Sequence, residues 1–168
     1  MGHKEHRAEA LRTLKIAVLS VSTTRTLKTD QSGHWIAKLA RREGHKVVDH
    51  QVVGDDSAAI RKALVLMLAA TEPHGIIITG GTGISPADVT IEALKPLFVK
   101  ELPAFATLFA LLSFHQIDSA AIASRATAGV VGGALVFCLP GSLKACKLAC
   151  RELIFPELGH LVRNGTEK

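Results

Sequence analysis

Apolar residues recur along this chain in two rhythms. In two stretches nearly every position is apolar: 14–21 (Leu14-Lys15-Ile16-Ala17-Val18-Leu19-Ser20-Val21) and Ile76-Ile77-Ile78-Thr79; 46–53, with valine pairs on either side of Asp49-His50-Gln51, reads as a further strand between them. Unbroken β-branched runs of this length predict strands covered on both faces. Between them the spacing lengthens. Ile36, Leu39 and Ala40 make the inner stripe of a helix over 33–42, for which Asp30 and Ser32 are candidate caps and Gly44 the stop. Ile60, Leu64, Met67 and Leu68 do the same over 58–70. Further on, 88–97, 104–112, 117–126 and 145–155 read as helices, and 156–168 as a fraying end. The run 128–139 reads as two short strands about Gly132-Gly133, a hairpin signal.

The order that results is an α/β fold: a three-layer α/β/α sandwich with a mostly parallel central sheet and one antiparallel hairpin addition. No repeat, linker or low-complexity stretch interrupts it. Residues 14–168 are expected to form a single domain, and 1–13 a flexible, polar and basic extension without the apolar segment of a secretory signal.

The most informative stretch follows the third strand: Thr79-Gly80-Gly81-Thr82-Gly83-Ile84-Ser85-Pro86-Ala87-Asp88. Bare backbone between a buried strand and a helix lets a ligand approach the amides without meeting a Cβ, and such amides favour anions, phosphates above all. Asp88 at the mouth of the next helix is either a cap or a Mg²⁺ ligand. The Asp55-Asp56 pair after the second strand poses the same choice. Ser22, Thr23, Thr24 and Arg25 follow the first strand, and Pro140, Gly141 and Ser142 follow the last. All four loops sit where parallel strands end, which is where open α/β sheets bind ligands. There is no GxxxxGK[ST] and no GxGxxG. The constellation suits phosphoryl or nucleotidyl transfer, in which positioning and electrostatics carry the chemistry.

Composition narrows the partners. The formal charge is +5, from 20 Lys and Arg against 15 Asp and Glu, but the cations are scattered and aromatics make up only 4%, so no nucleic-acid platform is predicted. An anionic small molecule is the economical partner. The apolar run 126–139 is too short to span a bilayer, and no membrane association is expected. Three cysteines, Cys138, Cys146 and Cys150, lack zinc spacing and fit a reducing cytoplasm.

The glycine stretch with Asp88-Val89-Thr90 and Glu92-Ala93 resembles the signature of the molybdenum cofactor biosynthesis family, MoaB/MogA. So do Asp30-Gln31-Ser32-Gly33-His34, Ser124-Arg125-Ala126, Leu139-Pro140-Gly141-Ser142 and Pro156-Glu157-Leu158-Gly159-His160, the last nearer to MoaB. The resemblance implies a trimer or hexamer, molybdopterin as ligand, and Mg-ATP-dependent adenylylation of molybdopterin with release of pyrophosphate. It implies Asp55 and Asp88 as catalytic, Mg²⁺-holding residues. Gly80, Gly81, Thr82, Gly83, Ser22, Arg25, Ser124, Pro140, Gly141 and Ser142 become the ligand-binding set. Against the family pattern, Thr23 and Thr107 stand where acids are usual, and Ala87 and Ala110 where arginines are usual. The alternative is a non-catalytic molybdopterin- or nucleotide-binding paralogue on the same scaffold.

Overall fold

The computed structural model describes residues 13–166. The predicted extension therefore lies, apart from Thr13, outside the described residues. Six strands form one sheet: β1 (Lys15–Val21), β2 (Lys46–Val53), β3 (Gly75–Thr79), β4 (Lys100–Glu101), β5 (Thr127–Val131) and β6 (Ala134–Leu139). Their order is β2-β1-β3-β6-β5-β4. The first four in that order run parallel, and β6, β5 and β4 alternate. The three-layer α/β arrangement is thus as the sequence predicts. Continuous apolar runs were the signal because both faces are covered: Ile16, Val18, Ile77 and Phe137 face one core cluster, and Ala17, Leu19, Ile76, Ile78 and Val136 face the other.

The helices are α1 (Gln31–Arg42), α2 (Ser57–Thr71), α3 (Thr90–Leu94), α4 (Pro103–Ile117), α5 (Leu143–Ala149) and α6 (Phe155–Thr166). Asp30 caps α1 through the Gly33 amide, and Asp56 caps α2 through the Ala59 amide. The hairpin turn is Gly132-Gly133, both at positive φ, the backbone that a two-residue hairpin turn requires.

Four readings need correction. The helix expected over 88–97 is only α3 followed by a 3₁₀ turn at Lys95–Leu97, because Pro96 supplies no backbone donor. The helices expected over 104–112 and 117–126 are one helix, α4, then a 3₁₀ segment Asp118–Ala123 and extended chain into β5. The apolar residues of α4 run right round it, so periodicity could not mark its end. The expected fraying end is helical over its described part, 156–166: a π segment, Cys150–Ile154, passes into α6. Pro156 cannot donate, and its ring would crowd the carbonyl one turn back, so the widened turn lets the helix run on. Finally, β4 was not predicted. Two residues carry no period, and its existence rests on pairing Lys100 with Val130 and Glu101 with Gly129.

Candidate ligand pocket at the strand ends

The sheet order places the ends of β1 and β3 side by side with chain crossing to opposite faces, the position where α/β sheets open a crevice. A cavity of about 560 Å³ lies there. Gly80, Gly81, Thr82, Gly83, Asp88, Ser22, Arg25, Ser124, Pro140, Gly141 and Ser142 all line it. Eleven of the twelve predicted site residues are thus brought together. Asp55 does not line the cavity but borders it.

The glycine stretch is shaped by close approach. Gly80 and Gly81 have φ of 101° and 64°. A Cβ on Gly80 would fall on the Val21 carbonyl, and one on Gly81 would fall on the Thr90 hydroxyl, so only glycine admits the turn. The Gly80 amide donates to Leu139 O at 3.0 Å, and the Thr90 hydroxyl donates to Gly80 O at 2.8 Å. The amides of Gly81, Thr82 and Gly83 have no acceptor among the described residues. The Thr82 hydroxyl is buried and also unpartnered. A buried hydroxyl and half-buried amides left open in this way can take a ligand or water.

Asp88 does not cap α3, whose capping position is Val89 without a side-chain bond. Its Oδ2 accepts the Ser85 amide at 2.9 Å, which folds the loop back and sets the carboxylate against Gly83. Of the second pair, Asp56 is the cap. The Oδ2 of Asp55 accepts both the amide (2.8 Å) and the hydroxyl of Thr23, joining the loops after β1 and β2. Both carboxylates keep Oδ1 without a hydrogen-bond partner among the described residues. Two free hard oxygens beside open amides fit a Mg²⁺ ion shared with phosphate, although no cluster of three or more His, Cys, Asp or Glu residues exists among the described residues.

The last loop is tied in by Ser32, whose hydroxyl donates to Gly141 O at 2.9 Å rather than capping α1. Arg25 Nη1 approaches the same carbonyl at 3.5 Å. Thr79 donates to Pro140 O at 3.0 Å. Cys146 packs behind it, and burial raises the thiols of Cys146 and Cys150 and pushes that of Cys138 up to about 12, so these are inert core groups.

Sequence reasoning missed two features. Arg125 donates to Gly83 O at 2.9 Å and pairs with Glu92, whose carboxyl it holds below the ordinary range. The partners are 33 residues apart or more, and no local pattern links them. The second is Asp30, fully buried in the pocket wall, where it accepts from Ser20, Gly33 and His50. Of the four atypical positions, Thr107 and Ala110 lie on the exposed side of α4 and do not line the cavity. Only Thr23 and Ala87 belong to the surrounding loops.

A mostly parallel sheet with unpartnered amides at its switch point defines an α/β protein with a candidate ligand pocket at its strand ends, and comparison specifies its family. The model of a family described as probable molybdopterin binding domain matches residues 17–160. The molybdenum cofactor biosynthesis protein B of Bacillus subtilis is 43% identical over 164 residues, covering 97% of this chain and 96% of that protein. A crystal structure of a molybdenum cofactor biosynthesis protein B superimposes with a TM-score of 0.91 at 37% identity, covering 95% of this chain and all of that one. The tungsten cofactor synthesizing protein MoaB from Pyrococcus furiosus gives 0.82 at 33% identity, over 94% of this chain and all of its own. The chain belongs to the MoaB/MogA family of molybdenum cofactor biosynthesis proteins.

Proposed function

We propose that this protein is a molybdopterin adenylyltransferase. An oxygen of molybdopterin attacks the α-phosphorus of ATP, the bond to pyrophosphate breaks, and adenylyl-molybdopterin and pyrophosphate leave. The observation that carries the reading is the row of open amides at Gly81, Thr82 and Gly83, flanked by the free Oδ1 atoms of Asp55 and Asp88. The amides and Arg25 receive phosphate oxygens. Asp55 and Asp88 would hold Mg²⁺, which supplies neutralisation of the charge developing on the phosphates. Arg125 keeps Gly83 in place through its carbonyl. The Bacillus subtilis relative is a bacterial biosynthetic protein, and we assign the reaction to the cytoplasm.

The test is incubation of purified protein with molybdopterin, Mg²⁺ and ATP. More than one equivalent of adenylyl-molybdopterin per chain is expected; ATP consumed without that product counts against it. One observation favours the second reading, a non-catalytic carrier: Thr23, in the place of an acid, spends both its donors on Asp55. That reading expects stoichiometric binding and no product.

We also infer a homo-oligomer, trimer or hexamer. Leu108, Leu111, Phe114 and Ile117 of α4 are exposed, and Ile122 beyond it is 94% exposed. By length and composition the segment Pro103–Ala123 could cross a membrane. Phe105 and Phe109, however, seat it on the core, which leaves the outer stripe for subunit contact.

A further inference from the structure

Positive charge gathers between two neighbouring helices, away from the strand-end pocket. On α1, Trp35, Lys38 and Arg42 stand at i, i+3 and i+7. On α5 and the π segment after it, Lys144, Lys147 and Arg151 stand at the same spacing. Each row is one helix face, roughly 10 Å long. The rows meet over the half-buried Trp35 ring, with Lys147 Nζ 5.9 Å and Arg151 Cζ 5.4 Å from its centroid. A hollow of about 430 Å³ opens against the second row and one of about 260 Å³ against the first. A third, of about 140 Å³, joins them, having Arg151 in common with the one and Leu39 with the other. This groove shares no residue with the strand-end pocket.

Such an arrangement costs stability in the isolated chain. Lys38 with Arg42, and Lys147 with Arg151, are like charges four residues apart, which repel along a helix. Among the described residues, Lys38, Lys144, Lys147 and Arg151 form no salt bridge; of the five cations only Arg42 has a carboxylate, Glu43 at 3.9 Å. The indole holds Lys147 and Arg151 in place without neutralising them, so little side-chain freedom is lost when an anion arrives. Tryptophan and arginine beside buried leucines, here Leu39 and Leu148, make the composition of an interface centre. The recess disfavours a bilayer, which is flat. A nucleic-acid backbone, negative at every step, would meet Glu43 and Glu152 among the cations, and one half-buried indole is no stacking platform. Carboxylates spaced along a polypeptide, with apolar side chains between them, match both the cations and the leucines. We propose that the groove between α1 and α5 is a docking surface for an acidic, partly apolar segment of a partner protein, centred on Lys147 and Arg151 over Trp35.

Trp35 is the only tryptophan of the chain, so its emission reports on the groove directly. The full-length protein is titrated, at an ionic strength of about 50 mM where screening is modest, with a short tryptophan-free peptide that alternates glutamate with leucine. Saturable change in Trp35 emission is expected, and none with the same peptide carrying glutamine for glutamate. By calorimetry, Lys147→Glu with Arg151→Glu should weaken peptide binding about tenfold or more. Arg61→Glu with Lys62→Glu, on the exposed side of α2 across the sheet, should change it less than about twofold. If the charge-reversed groove variant does not fold, Lys147→Gln with Arg151→Gln decides the matter, with a loss of about fivefold expected. Any of four results overturns the proposal: no saturable change in emission, an equal response to the glutamine peptide, equal weakening by the α2 variant, or tighter binding of a single-stranded oligonucleotide or of phosphatidylglycerol vesicles. A change of assembly state in the groove variant, read by light scattering, also overturns it, because the groove would then be a contact between copies of this chain.

Discussion

An asparagine at position 88 can still accept the Ser85 amide, so Asp88→Asn separates the fold of the loop from its charge. Mg²⁺-dependent turnover is expected to fall about hundredfold or more, the scale seen when one positioned electrostatic group is lost, while thermal unfolding stays near that of the parent. Turnover that survives would leave Asp88 as a purely structural anchor. Two histidines give a second prediction. His45 Nδ1 accepts the Leu14 amide and His74 Nδ1 accepts the Lys15 amide, at 3.3 and 2.9 Å. Burial lowers both below the ordinary 6.5; Glu43 opposes this at His45, and Lys15 reinforces it at His74. Both rings are therefore harder to protonate in the folded protein than in the unfolded chain. Stability from them is complete above pH 6.5, and it declines as pH falls from there through the lower native values. Unfolding midpoints between pH 7.5 and 5.5 should fall, and His74→Asn, which keeps an acceptor but does not titrate, should make that fall shallower.

At the scale of elements, the glycine stretch is the most constrained. In Gly80→Ala the new methyl meets the Val21 carbonyl at a φ of 101°. A loss of about 2–4 kcal/mol is expected from urea unfolding, the range for backbone strain with a steric clash. Strands β1, β3 and β6 were legible because burial on both faces writes itself as an unbroken apolar run. Helices α1 and α2 were legible because each has one inner stripe and an aspartate cap. The end of α4 was not legible: Phe114 and Ile117 are as apolar as Phe105 and Phe109, and only the tertiary structure decides which face is covered. Nor was the passage through Pro156, where a π segment overrides the usual meaning of proline.

For the whole molecule, the exposed stripe of α4 makes a simple expectation. If the proposed oligomer forms through this stripe, Phe114→Asp should give monomers by light scattering while leaving the far-ultraviolet circular dichroism unchanged; an unchanged assembly would place the contact elsewhere. The pocket itself was legible as a set of loops, because glycine, serine and aspartate at strand ends are local signals. Its inner wiring was not. Asp30 with His50 spans 20 residues, Arg125 with Gly83 spans 42, and Ser32 with Gly141 spans 109. No window of sequence contains such pairs, and only the crossing of the sheet brings them together.

That crossing also sets a timetable. The central strand β3 pairs on one side with β1 and on the other with β6, whose residues are synthesised some 60 positions later (Gly75 with Leu135). The last wall, Pro140 to Ser142, is hooked by Ser32 from the opposite end of the chain. A ribosome-bound chain that stops short of β6 has its glycine stretch but nothing to hold the Gly80 amide, whose acceptor is Leu139. Non-local closure of this kind is slow and comes late. The pocket wall therefore closes only after residues 139–142 have emerged, and a fragment ending before β6 is expected to lack it.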